Sequence, residues 1–227
     1  KRSEITNDYR LLAAPLSYPS ADLQAAIDSE LLPILESQPD WQNKLIPLLR
    51  YLADTDLIEV QERYVATFDR NPNHALHLFE HLHGENRDRG DAMVNLLQEY
   101  QAQGFEPQGY ELPDYLPLFL EFLSLQAADH AGELLGEAVH VIAYVRDKLQ
   151  GNDSPYAAVF DLIVSMSPVA PQELKVAPVR DMDEALEMFG PSADGVEPLL
   201  QPTLGSEQTI KLYPSRAQAA ATMGAKP

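Results

Sequence analysis

The sequence predicts an all-α protein, a single-domain helical bundle followed by an irregular C-terminal tail. Three observations carry that expectation. Leu, Ala, Glu and Gln recur at spacings of three and four, the period of one helix face. Val, Ile and Thr never gather into the alternating runs of half-buried strands. Capping residues and Gly or Pro stops cut the chain into helix-length segments joined by short connections.

Ser20 is placed to cap a helix through Leu35, with Leu23, Ile27, Leu31 and Ile34 on one face. Pro39 and Asp40 open a second, which carries Leu45, Leu48, Leu49 and Leu52. Asp56 starts a third, where Val60, Tyr64 and Phe68 form a stripe at intervals of four. Asn73 caps a short helix that Gly84 ends. Asn86 caps a longer one that carries Met93, Leu96, Leu97 and Tyr100 to a stop at Gly104. Asp114 caps the next, which sets Pro117 at its third position, where a missing N–H costs nothing. Asp129 begins a helix through Leu149 that Gly151 ends. Ser154 caps the last, with Pro155 at its first position and Phe160, Ile163 and Val164 inside.

From Pro168 the texture changes to a Pro-punctuated one, so residues 1–168 read as the helical domain and 169–227 as a largely irregular tail. Only 181–189 keeps a helical pattern there, with Met182, Leu186 and Phe189 on one side.

Composition excludes several function classes. A net charge of −19 and a pI near 4.5 argue against nucleic acid, whose phosphates demand a basic surface, and against an anionic membrane surface. A cationic partner is the natural complement; acidity for solubility alone is the plainer alternative. The absence of cysteine removes disulfides, thiolate nucleophiles and cysteine metal sites, and fits a reducing compartment. No apolar run has the length of a membrane span. Asp8 and Arg10 interrupt the apolar block that a secretory signal would need in Lys1–Ala14.

The stretch with the most chemical look is His74–Glu85. Within it, His77-Leu78-Phe79-Glu80-His81 matches the H-x-x-E-H pattern of one zinc-protease class, in which two histidines one helical turn apart share a metal and the glutamate is the base. No second motif supplies a third ligand. The alternative is that Ala75, Leu78, Phe79 and Leu82 form a buried face and the histidines flank it. No phosphate loop and no nucleophile elbow occurs.

A second feature is a charge desert. Between Arg89 and Arg146 there is no Lys or Arg, while Asp91, Glu99, Glu106, Glu111, Asp114, Glu121, Asp129, Glu133 and Glu137 fall inside it. The same stretch packs Leu116, Leu118, Phe119, Leu120, Phe122, Leu123 and Leu125 almost consecutively. A helix apolar nearly all round is either a central core helix or the lining of a groove that another chain fills.

Two segments go beyond pattern. Leu78–Gly90, LFEHLHGENRDRG, and Glu111–Leu123, ELPDYLPLFLEFL, resemble the signature of the NarJ-type nitrate reductase assembly chaperones, at the expected separation. Tyr64–Asp69, YVATFD, is similar to the segment that precedes them, and Ser154–Leu162, SPYAAVFDL, to one that follows. The resemblance covers about residues 9–167. Two positions depart from it: Tyr115 stands where the family typically has His, and Asn86 replaces a usual Ser. His77 falls outside the signature, so the resemblance makes the H-x-x-E-H match accidental.

The resemblance implies a helical chaperone of the wider TorD/DmsD type, not an enzyme and with no cofactor or metal of its own. Such a protein binds the N-terminal segment of a nitrate reductase catalytic subunit. It holds that subunit in the cytoplasm until the molybdenum cofactor is inserted and the complex docks at the membrane. Proteins of molybdenum cofactor biosynthesis are further expected partners; nucleic acid and residence within a membrane are not expected. The candidate client-binding residues are Glu80, His83, Arg87 and Asp88 around Gly84, with Asp114, Tyr115, Leu116, Phe119, Leu120 and Glu121 on the following helix. In this reading Leu116, Phe119 and Leu120 give apolar contact, while Asp114 and Glu121 receive basic residues. Asp114 as a plain cap and a Glu80–Arg87 salt bridge are the scaffold alternatives; Leu112 and Phe122 read as buried. The rival functions are a zinc protease built on His77, Glu80 and His81, and a generic helical scaffold.

Overall fold

The computed structural model describes residues 2–174 apart from Ser37, residues 84–86 and Gln108, and the side chains of residues 2–7 and 83–88 lie outside that description as well. The helices, in chain order, are α1 (Arg2–Ala13), α2 (Ala21–Ala26), α3 (Leu32–Leu35), α4 (Pro39–Asp54), α5 (Leu57–Tyr64), α6 (Glu80–His83), α7 (Arg87–Ala102), α8 (Leu116–Ser124), α9 (Ala128–Gly151) and α10 (Ala157–Met166). Among the described residues there is no strand; His77 and Tyr115 pair as an isolated antiparallel bridge. No helix among them is long and apolar enough to cross a membrane.

The apolar sequence of α8 decides the architecture. Leu116, Phe119, Leu120, Phe122 and Leu123 are all buried, because α1 crosses one side of α8 and α9 another. Of the two readings of an all-round apolar helix, the central core helix is the one the fold takes. Each such side chain contributes about 1.5–3 kcal/mol through burial. α9 and α10 pack as an antiparallel pair, while α2 and α3 cover α4.

Two π turns set the register. Ser20 caps α2 by accepting from the Leu23 N–H, but a π turn over Ile27–Leu31 then intervenes. Pro33, with no N–H and a ring that crowds the carbonyl four residues back, sits just beyond that wider turn. The extra residue moves the buried face from the expected Ile34, which is 36% exposed, to Leu35, which is 1% exposed. A second π turn, Val65–Asp69, follows α5 and keeps Val60, Tyr64 and Phe68 buried as the stripe predicts.

Several expected helix starts move. Asp56 does cap α5, and Gly104, at φ +75°, does follow α7. Asn71, not Asn73, caps a 3-10 turn over Pro72–His74, and residues 75–79 are not helical. α8 begins after Tyr115, which leaves Asp114 outside it and Pro117 within its first two positions. α9 opens at Ala128 and α10 at Ala157, with Ser154 and Tyr156 in a preceding turn. The expected caps and stops at Gly84 and Asn86, and the helix expected over 181–189, lie outside the described residues.

Candidate functional site

The non-helical stretch before α6 is held by backbone pairing rather than by its own turns. The Leu78 N–H donates to the Asp114 carbonyl at 3.1 Å, and the Leu116 N–H donates to the Leu76 carbonyl at 2.8 Å. A helix over residues 74–83 would need those same groups, and the cross-chain bonds win because they bring Leu76 and Leu78 into the core. The Asp114 side chain completes the junction. It is fully buried, and it accepts the Phe79 N–H at 3.0 Å and a bond from His77 Nδ1 at 3.3 Å.

A cleft of about 360 Å³ opens beside this junction. Phe68, Pro72, Ala75 and Leu76 give its apolar walls, and Tyr64, Asp69, His77, Glu80 and Tyr115 its polar ones. The Tyr64 hydroxyl donates to the Leu16 carbonyl at 2.9 Å. With that proton committed, Tyr115 donates to Tyr64 Oη at 3.0 Å. Burial, reinforced by Tyr115 and Asp69, holds Tyr64 well above the ordinary phenol range. Burial likewise pushes Tyr115 up to about 12, with Glu111, Asp69 and Glu121 adding to it. Both are neutral at physiological pH.

His77 is a contest. Burial lowers its pKa, but the hydrogen bond and charge of Asp114, with Glu80, outweigh burial and Arg89 and leave it above the ordinary imidazole value. Glu80 pairs with Arg89 at 3.1 Å, which ties α6 to α7 beside the cleft. Behind the wall, buried His74 meets the Thr67 carbonyl through Nδ1 at 3.0 Å and Asn152 through Nε2 at 2.9 Å. Tyr144 donates to Asn73 at 3.0 Å. The 3-10 turn is thereby fixed to the C-terminal end of α9.

A family model described as nitrate reductase delta subunit matches residues 36–161. The chain belongs to that family. The chain is similar to the nitrate reductase molybdenum cofactor assembly chaperone NarJ of Escherichia coli K12, 40% identical over 65% of this chain and 62% of the relative. It is similar to the probable chaperone NarW of the same organism, 40% identical over 51% of this chain and 50% of that one. It is also similar to the probable NarJ of Bacillus subtilis, 28% identical over 69% and 86%. The chain thus spans a little under two thirds of the Escherichia coli NarJ that it matches.

The fold redistributes the predicted site residues. Glu80 and Tyr115 line the cleft. Asp114 caps no helix and faces no solvent; both its carboxylate oxygens serve the chain itself. Leu116, Phe119 and Leu120, expected to line a groove, are at most 2% exposed and lie inside the core, because α1 occupies the face they would have offered. Glu121 is exposed on α8 and does not line the cleft. Leu112, expected buried, is 44% exposed, whereas Phe122 is buried as expected. Among the described side chains Glu80 pairs with Arg89; the Glu80–Arg87 salt bridge falls on a side chain outside them. The side chains of His83, Arg87 and Asp88 lie outside the described residues.

The histidines of the H-x-x-E-H match do not share a helical turn. His77 precedes α6 and faces Asp114, while His81 is buried with Nε2 on the Ala75 carbonyl at 2.8 Å. Residue-by-residue reading missed Phe68, Asp69, Pro72 and Leu76 as cleft walls. The YVATFD segment had marked the first two, but only as a resemblance.

Proposed function

We propose that this chain is a maturation chaperone for a nitrate reductase, and that the cleft beside the His77–Tyr115 bridge receives the N-terminal segment of the catalytic subunit. One observation carries the reading. Three of the four segments that resemble the family, around Tyr64–Asp69, Leu78–Glu80 and Asp114–Tyr115, meet at this one cleft. A task of binding explains that convergence better than catalysis, since the polar groups here are committed to one another rather than aimed at a reacting atom. The relatives' names as molybdenum cofactor assembly chaperones supply the client and the step.

On this reading the client segment is held in the cytoplasm until the molybdenum cofactor is inserted and the complex docks at the membrane. Proteins that deliver the cofactor approach the same complex. The apolar walls carry most of the affinity, because exposed ion pairs add only about 0.2–1 kcal/mol each while micromolar binding needs about 8 kcal/mol. Glu80 and Tyr115 contact the client. Asp114 holds the wall in place, and Leu116, Phe119 and Leu120 back it from the core. His83, Arg87, Asp88 and Glu121 act at the approach to the cleft.

The test is calorimetry of the full chain with a synthetic peptide of that N-terminal segment, alongside NMR of the His77 and Tyr115 rings. Saturable binding that shifts both rings supports the reading. Absence of binding, or binding that leaves both rings unmoved, overturns it.

A further inference from the structure

The charge desert of the sequence is only partly used by the cleft; its other end lies at the start of α9. There α1, α9 and the end of α10 enclose a groove of about 530 Å³, which shares no residue with the cleft. Its floor is apolar, built from Tyr9, Gly132, Met166 and the Pro168 ring. Its rim is acidic. Asp8 contributes from α1, where it also accepts a bond from Gln38, and Asp129 and Glu133 contribute from the first two turns of α9. Among the described residues no lysine or arginine lines it.

The chain itself shows how such a surface is filled. Beyond α10 the non-helical segment Pro168–Leu174 runs onto α9 along a ledge of small residues. A Cβ on Gly136 would stand 2.9 Å from Val169 Cγ2, and one on Gly132 would stand 3.6 Å from Pro168 Cγ. The approach is therefore backbone-close. The Gln172 N–H then donates to His140 Nδ1 at 2.8 Å, and Leu174 packs against the core. The ledge continues past Pro168 into the groove, so α9 already seats one non-helical segment, and among the described residues the adjoining length is unfilled.

We infer that this groove is a second docking surface, for a non-helical segment of another protein that carries an apolar side chain flanked by arginine or lysine. The apolar residue meets Tyr9 and Met166, and the cations meet Asp129 and Glu133. A cation there also relieves crowding among like charges, because Glu133 and Glu99 already press on the neighbouring Glu137. The surface is independent of the cleft, so it stands whether or not the cleft binds a catalytic-subunit peptide.

The experiment uses the full chain with methyl-labelled methionine and a synthetic nine-residue peptide, a central Phe flanked by two Arg, beside the same peptide with citrulline for Arg. The Met166 methyl reports the groove and the His77 ring reports the cleft. The expected result is a saturable shift of Met166 with the arginine peptide, and affinity lower by about five-fold or more with citrulline or in the D129N/E133Q variant, as two exposed ion pairs predict. Both substitutions are at exposed positions and preserve shape. An unmoved Met166, a shift confined to His77, or equal affinity for both peptides overturns the inference.

Discussion

Phe79 donates its backbone N–H to the buried carboxylate of Asp114 at 3.0 Å, 35 residues further along the chain. The bond fixes the wall of the cleft from below. Asp114→Ala therefore removes the acceptor of both Phe79 N–H and His77 Nδ1 and is expected to cost about 3 kcal/mol, since bonds to charged groups contribute about 1.5–3 kcal/mol each. Urea unfolding measures the loss, and amide exchange at Leu78 and Phe79 should quicken more than in the core of α9. An unchanged midpoint would show that the carboxylate is not a keystone.

The tyrosine pair predicts an asymmetry. Tyr64→Phe removes the donor to the Leu16 carbonyl as well as the acceptor for Tyr115. Tyr115→Phe removes mainly its bond to Tyr64, since its Leu16 contact is long at 3.4 Å. The first should cost about 2 kcal/mol and the second about 1 kcal/mol. Equal losses in denaturant titrations would contradict the assigned proton order.

Glu137 makes stability depend on pH with a defined sign. Burial first, then Glu133 and Glu99, raises its carboxyl from the ordinary 4.5 to about 7. Between those values the folded protein keeps a proton that the unfolded chain has lost, so stability falls as pH rises from about 4.5 to about 7, and the penalty is complete above it. Glu137→Gln removes the penalty. The variant should match the parent near pH 5 and exceed it at pH 8 by about 1 kcal/mol, a figure discounted because the side chain is only half-buried. A gain independent of pH would point elsewhere.

Gly136→Ala brings two effects into opposition. Alanine favours the helix by about 1 kcal/mol, while its Cβ would stand 2.9 Å from Val169. Global stability should hardly move, but the segment above should lift. Faster exchange of the Gln172 amide, with an unchanged melting temperature, is the expected signature; slower exchange would mean the contact relaxes by another route.

Phe119→Ala tests whether α8 is core or groove. Phe119 is 2% exposed, so truncation should cost about 3–5 kcal/mol. A loss below about 1 kcal/mol by thermal or urea unfolding would return it to the surface.

What the sequence revealed and concealed follows from the range of the forces involved. Helix periodicity is local, and so Val60, Tyr64 and Phe68, or the run through α8, were legible. The resemblance singles out Tyr64–Asp69, Leu78–Gly90 and Glu111–Leu123 as segments, but only the fold brings parts of them to one cleft. The miss at Ile34 came from one extra residue in a π turn, which no pattern of apolar spacing records. The miss at residues 75–79 came from competition. His74–His83 has the composition of a helix, yet Leu76 and Leu78 spend their backbone groups on partners 36–40 positions away. Asp114 illustrates the same limit: an Asp before an apolar run looks like a cap, and only the fold shows that its oxygens face backwards.

The bridge between His77 and Tyr115 also has a topological consequence. It ties off the base of an excursion that holds α6 and α7, much as a drawstring closes a bag. With the ends pinned, re-forming the arm after a local opening does not require the chain to find that long-range closure again, and loop-closure entropy is charged to the bridge alone. The arm meets the body through Leu96 and Tyr100 in the core, Tyr100 and Phe105 on Phe122, and Glu99 on His130. Those can part together while the neck stays tied. The excursion is thus expected to open as a unit at a free energy below that of the whole fold, read by amide exchange along α7, and its motion would be felt first at Glu80, beside the cleft.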